Sequence, residues 1–121
     1  MEARIEKMQR YLRGEAMPSM YICVDGDKVL GTAALVESDM DSHPELSPWL
    51  ASVYVHADYR KRGIGALLVN KVVAVAKTLG YNPLYLFTPD QAHFYENLGW
   101  QFIAQESYRG GEATLMKIDL V

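Results

Sequence analysis

The sequence predicts an α/β fold built on a mixed β-sheet, antiparallel at both ends of the chain and parallel at one junction in the middle. Three observations carry this. Short apolar runs separated by tight polar turns open and close the chain, as in hairpins. A sustained helical repeat (Ile64, Leu68, Val72, Val75, Leu79) lies between two further apolar runs, and a helix joining two strands is a crossover between parallel neighbours. The 121 residues, half of them apolar, suit one domain over 1–121, able to bury roughly two thirds of its unfolded surface without a disulfide or metal.

The elements follow in order. Ile5, Met8, Tyr11 and Leu12 recur at helical spacing, with Gly14 as a stop and Pro18 beyond, so a short amphipathic helix is expected first. Met20 to Val24 reads as a strand, Asp25-Gly26-Asp27 as a hairpin turn, and Lys28 to Val36 as the returning strand. Ser38 to Pro48 is a polar loop with two prolines and several acids. Trp49 to Val55 is a third strand, apolar enough to be central. The long helix then begins after Gly63 and ends at Gly80, which suits a C-terminal cap. Leu84 to Thr88 is a strand. Gln91 to Leu98 is a helix, with Asp90 as N-cap and Gly99 as stop. Trp100 to Ser107 and Glu112 to Leu120 are two strands joined by Arg109-Gly110-Gly111.

Composition excludes several classes. A net charge of −3 argues against nucleic-acid binding, which needs a basic surface. No apolar run approaches the ~20 residues of a membrane span, and Met1-Glu2-Ala3-Arg4 lacks the apolar core of a signal peptide. Cys23, the one cysteine, has no internal partner and sits in an apolar run, so it reads as a core thiol in a reducing, cytoplasmic protein. No His/Cys/Asp spacing resembles a metal site, so no metal is expected. Ser52 has no recognisable His–Asp partners for a nucleophilic role.

The segment richest in chemistry is Arg60-Lys61-Arg62-Gly63-Ile64-Gly65. A central strand runs through it into a helix N-terminus, whose first backbone N–H groups lack intrahelical partners and carry the positive end of the helix dipole. Gly63 and Gly65 allow an anion to approach the backbone, and three cations stand beside it. A phosphate or pyrophosphate is the implied ligand. The P-loop pattern is absent, and a dinucleotide fingerprint fails because position 68 is Leu.

These residues resemble the GNAT acetyltransferases, whose acetyl-CoA signature, Arg/Gln-x-x-Gly-x-Gly/Ala, is matched by Arg60, Gly63 and Gly65. The approach Val53-Tyr54-Val55 then Asp58-Tyr59-Arg60 is similar too, with His56 where many members carry proline. Leu84 to Thr88 resembles the next strand, and Phe94-Tyr95-Glu96-Asn97-Leu98-Gly99-Trp100 resembles the Phe-Tyr-x-x-x-Gly-Phe/Trp element. The likeness spans roughly Met20 to Leu120. It implies the GNAT-like acyl-CoA N-acyltransferase fold, with a sheet splayed in the middle, and acetyl-CoA as cosubstrate. Lys61, Arg62, Gly63, Ile64, Gly65 and Ala66 would hold the pyrophosphate. The strand Val53-Tyr54-Val55 would run beside the pantetheine arm, its backbone pairing through Val53 and Val55. Asp90, Phe94 and Tyr95 would flank the far end.

The reaction implied is direct attack of a neutral amine on the thioester. Neutralising an alkylamine of pKa ~10.4 at pH 7 costs roughly 4–5 kcal/mol, so a base or water chain is needed. Tyr95 matches the family's general acid for the leaving thiolate. The base is open: ten residues before Arg60, where many members place a glutamate, stands Leu50. Glu45 and Asp41 are the candidates, with Asp39 and Glu37 nearby and His43 and His93 as further proton acceptors. The acidic loop favours a cationic amine acceptor.

One departure stands out. Fewer than twenty residues precede the first hairpin, room for about one helix, so the family's usual first strand is expected to be missing. The sheet edge so exposed would invite a second copy, giving a homodimer. The alternative to catalysis is a non-catalytic acyl-CoA-binding or regulatory module, and a third reading is an enzyme using a longer acyl-CoA.

Overall fold

The computed structural model describes residues 4–7, 19–40 and 42–120. In chain order the elements are β1 (Arg4–Lys7), β2 (Ser19–Asp25), β3 (Lys28–Val36), β4 (Trp49–Val55), a 3₁₀ turn (Ala57–Tyr59), α1 (Ile64–Thr78), β5 (Leu84–Thr88), α2 (Ala92–Asn97), β6 (Gln101–Tyr108) and β7 (Gly111–Ile118). The strands form one seven-stranded sheet in the order β1-β2-β3-β4-β5-β7-β6. β4 and β5 are parallel and every other described pair is antiparallel, the mixed sheet that the pattern of turns and crossover predicts. Among the described residues no helix is long and apolar enough to cross a membrane.

The start of the chain is a correction. Where a helix from Ile5 is expected and a first strand is not, Arg4–Lys7 is a strand, paired antiparallel with β2 from Arg4↔Val24 to Lys7↔Tyr21. Arg4 and Glu6 are exposed while Ile5 is half-buried against the core. That alternation fits a strand as well as a helical repeat does, and the open edge of β2 supplies backbone partners that an isolated helix turn lacks. Met8, Tyr11, Leu12, Gly14 and Pro18 lie outside the described residues. Because β1 covers β2, the open edge that motivates a homodimer is filled there, and the outer strands are β1 and β6.

Two cores pack on opposite faces of the sheet. Leu84 and Leu86 of β5 and Met116 of β7 join Leu68, Val69, Val72 and Ala76 of α1 and Tyr95 of α2. Their alternates Tyr85, Phe87 and Leu115 pack instead with Trp49 and with Met40 of the β3–β4 loop. The period-2 alternation of strands therefore assigns one face to the helices and the other to that loop.

Both helices end in the same way. At α1, Gly80 (φ +85°) donates to the Lys77 carbonyl and Tyr81 to that of Ala76. At α2, Gly99 (φ +99°) donates to Glu96 and Trp100 to Tyr95. These paired bonds are the Schellman arrangement that a positive-φ glycine permits. The expected N-cap differs: Gln91, not Asp90, is the capping position of α2, and its N–H is taken by Thr88 Oγ1 at 3.0 Å. Thr88 is buried in β5, so the strand itself satisfies the donor and Asp90 stays exposed.

Candidate active site

Two features of β4 open the site. The first is on its β5 side. The two parallel strands pair at one register position, Trp49↔Tyr85, reinforced by the Tyr85 N–H to the Pro48 carbonyl at 3.1 Å. Beyond that point they part, leaving the β5-side backbone of β4 without a ladder partner. An unpaired strand edge is a template for an extended amide-bearing ligand.

The second feature is a bulge. Tyr54 pairs with Thr32 and Ala51 with Ala34, so Ser52 and Val53 together stand opposite Ala33. Ser52 takes φ +55°, a left-handed conformation uncommon outside glycine. The extra residue reverses the alternation. Leu50 faces the helix core, yet so do Val53 and Val55, while Ser52 and Tyr54 are exposed. No sequence signal marks the bulge, because serine is not a residue that advertises a positive φ.

The wedge between β4 and β5 becomes a cleft of about 660 Å³. Val53, Tyr54 and Val55 form one wall. Arg60, Lys61 and Gly63 from the turn and Ile64, Gly65 and Ala66 from the first turn of α1 form its mouth. Asp90, Phe94 and Tyr95 form the other wall. All these are residues the sequence singles out. Tyr59 and Gln91 also line the cleft.

The turn is shaped by its backbone. Lys61 (φ +64°) and Gly63 (φ +78°) are left-handed and Arg62 between them is not, an alternation that curls successive N–H groups toward one side. Gly63 then serves as the N-cap of α1 with no side-chain cap, so the first N–H groups of the helix remain without a side-chain acceptor at its positive end. A Cβ on Gly65 would lie 3.4 Å from Phe94 and 3.5 Å from Val55, so this glycine is where α1, α2 and β4 converge. The 3₁₀ turn before it is capped by His56 Nδ1, which accepts from the Asp58 N–H at 3.2 Å. That is how histidine stands in for the expected proline.

The three cations of the signature divide. Arg60 lines the cleft and donates through Nε to the Val55 carbonyl at 3.1 Å, closing the end of β4. Lys61 lines the cleft. Arg62 does not: its guanidinium lies 5.5 Å from the Tyr59 ring centroid. Lys28, from the β2–β3 hairpin, donates to the Tyr59 hydroxyl at 3.2 Å, and this bond is the main reason its pKa is raised. Lys28 is distant in sequence, so only the fold reveals it.

Tyr95 is buried, 7% exposed. Its ring packs against Phe94 and Trp100 at centroid distances of 5.0 and 6.0 Å. Burial pushes its pKa up to about 12, so the phenol is protonated at neutral pH.

The described candidate base is not gathered there. Glu45 is exposed on the β3–β4 loop and is not among the cleft-lining residues. Its carboxylate lies 3.2 Å from His43 Nδ1, while His43 Nε2 contacts Glu106 of β6 at 2.7 Å. Those bonds, the Glu106 bond first, raise the pKa of His43. The loop packs on the face opposite α1, through Met40 and Leu46, which is why Glu45 misses the cleft. Asp41 lies outside the described residues. Among the described residues Asp90 is the one carboxylate lining the cleft, and His93 does not line it. A second hollow, about 350 Å³, is lined by Phe87, Pro89, Tyr108 and Glu112 among others. Among the described residues, no group of three or more His, Cys, Asp or Glu could hold a metal ion.

Residues 18–102 match the family model of the acetyltransferase (GNAT) domain. The chain is 30% identical over 96 residues to the amino-acid acetyltransferase of Shewanella oneidensis, covering 79% of this chain and 20% of that protein. It is 30% identical over 83 residues to the amino-acid acetyltransferase of Pasteurella multocida, covering 69% and 18%. It thus spans about a fifth of the length of these relatives. Among solved structures it is similar to an IAA acetyltransferase from Bacillus cereus (TM-score 0.74, 15% identity, 98% and 99% of the two chains). It is also similar to a Bacillus subtilis acetyltransferase in complex with CoA (TM-score 0.74, 17% identity, 99% and 100%). A GNAT-family acetyltransferase from Elizabethkingia anophelis with acetyl-CoA bound superposes at TM-score 0.71, with 14% identity and 97% of each chain covered. With a family match over most of its length and this sheet, the chain belongs to the GNAT acetyltransferases.

Proposed function

We propose that the protein transfers the acetyl group of acetyl-CoA to a primary amine of a small molecule or peptide. The observation that carries this is the wedge: a strand edge without a ladder partner, bounded at its mouth by a positive-φ turn and helix N-terminus and on its far wall by Tyr95. The turn from Lys61 to Ala66 takes the pyrophosphate on backbone N–H groups. The β4 edge at Val53–Val55 pairs with the pantetheine amides as an added strand would. Asp90 and Phe94 flank the thioester end, and solved GNAT neighbours with CoA or acetyl-CoA bound support the choice of ligand.

In the chemical step the amine nitrogen attacks the thioester carbonyl, the C–S bond breaks and an amide forms. The leaving thiolate takes a hydrogen bond from Tyr95. Full transfer of that proton to a thiolate of ordinary pKa ~8.5 is uphill by roughly 5 kcal/mol from a phenol near pKa 12. Tyr95 therefore stabilises the thiolate chiefly as a donor. The amine loses its proton to water, with Asp90 the carboxylate nearest that task by position in the cleft. Glu45 and Glu106 give the opposite face an acidic character that favours a cationic amine. The relatives named amino-acid acetyltransferases make amino acids the first acceptors to try.

A second reading, a non-catalytic acyl-CoA-binding module, draws on the scarcity of bases among the described residues of the cleft, where Asp90 is the one carboxylate. Calorimetric titration with acetyl-CoA, followed by thiol release across a panel of amino acids and polyamines, tests both. Acetyl-CoA binding with amine-dependent thiol release supports the transferase. Binding without release from any amine supports the module.

A further inference from the structure

We propose that Thr32 is a positioning residue for the cofactor cleft: its hydroxyl holds the β4 bulge and so fixes the wall formed by Val53–Val55. This rests on the acetyl-CoA reading above. The bulge is costly to maintain. Ser52 sits at φ +55°, where an L side chain is crowded. Unkinked pairing would continue the alternation set by Trp49 and Leu50, turning Tyr54 toward α1 and Val53 and Val55 away from it. The cleft wall thus depends on a conformation that the local sequence does not favour.

What holds it comes from β3. Beyond Trp49 no β5 ladder restrains β4, so β3 is the strand paired with this stretch. Thr32 opposes Tyr54 in the register, yet its Oγ1 donates to the carbonyl of Ser52 at 2.7 Å, reaching two residues back to the kink itself. The strands are pressed together here, since a Cβ on Gly31 would come within 2.6 Å of the Tyr54 carbonyl. Thr32 lies on the face away from α1, so the hydroxyl braces the wall from behind and makes no claim on the cleft.

The test is acetyl-CoA affinity by calorimetry, with melting temperature measured without ligand, for the wild type, Thr32→Val, Thr32→Ser and the double variant Thr32→Val/Ser52→Gly. Thr32→Val keeps the shape and loses the donor, and should weaken binding roughly fivefold, the worth of one neutral hydrogen bond. Thr32→Ser should bind as the wild type does. Glycine takes a positive φ without support, so the double variant should recover most of the loss. A Thr32→Val protein with lowered melting temperature but unchanged affinity overturns the proposal and leaves the acetyl-CoA reading standing. A wild type that does not bind acetyl-CoA removes both. Should Thr32→Val alone not fold, the double variant carries the test: near-wild-type affinity is expected, and a tenfold deficit overturns the proposal.

Discussion

Trp100 holds Tyr95 twice: its backbone N–H donates to the Tyr95 carbonyl at 3.1 Å, and its indole packs edge-to-face on the phenol with ring centroids 6.0 Å apart. The donor that faces the cleft is therefore fixed by the C-terminal cap of its own helix, and the hinge of that cap is Gly99.

Gly99→Ala should disturb both stability and catalysis. Gly99 has φ +99°, while an added Cβ would meet Ile118 at an ordinary 3.8 Å. The cost is therefore conformational, about 1–2 kcal/mol, or roughly 4–8 °C in melting temperature. Because the Trp100–Tyr95 bond turns on this residue, thiol release should fall further than acetyl-CoA affinity, as parallel kinetic and calorimetric titrations would show.

Tyr95→Phe removes the donor and keeps the packing. With its pKa near 12, Tyr95 is protonated throughout the neutral range, so it should contribute no inflection to the pH–rate profile below pH 10. The substitution should lower kcat about 10²-fold or more, leave acetyl-CoA affinity within a few-fold, and leave the shape of the profile unchanged. Undiminished turnover removes Tyr95 from the mechanism.

His43 should tie the β3–β4 loop to β6 in a pH-dependent way. When charged, its two ring N–H groups serve Glu106 and Glu45 at once; when neutral, it has one donor to offer. Its folded pKa is raised above 6.5, so its contribution is full below pH 6.5 and is lost as pH rises through the higher folded value. Glu45 is held below 4.5, first by its own backbone N–H and then by His43, so the carboxylate side of the pairing is lost as pH falls through that lower value. The advantage of the wild type over His43→Gln should therefore peak between about pH 4.5 and 6.5. It should amount to roughly 1 kcal/mol or less for so open a cluster. A melting-temperature difference constant across pH 5 to 9 would contradict this.

Much of the site was legible in the sequence because its signals are local. Gly63 and Gly65 before an apolar helical repeat state a turn and an anion-accepting N-terminus, and Phe94-Tyr95 followed by Gly99-Trp100 states a short helix and its stop. The fold brings these together because α1 and α2 share a face. What the sequence hides is set between strands. The Ser52 bulge arises from register against β3, with no glycine to announce it. Lys28 reaches Tyr59 only because the β2–β3 hairpin ends beside the turn. Glu45 was a plausible base by type, yet its loop packs on the opposite face and gives the carboxylate to His43. The first strand is hidden because Arg4-Ile5-Glu6 alternates over too few residues to outweigh a helical repeat, and its pairing partner Cys23 is remote.

The measurement bearing most directly on the acetyl-CoA cleft is a calorimetric titration of the wild type and Gly65→Val. Valine at 65 places methyl groups where Phe94, Val55 and the mouth of the cleft converge; its helix propensity is no worse than that of the glycine it replaces, so any loss of stability comes from packing, about 1–3 kcal/mol. Saturable one-to-one binding of acetyl-CoA by the wild type is expected, at least tenfold weaker in a Gly65→Val protein that remains folded at the assay temperature. A wild type that gives no binding, or a Gly65→Val protein that binds as tightly, would contradict the acetyl-CoA reading.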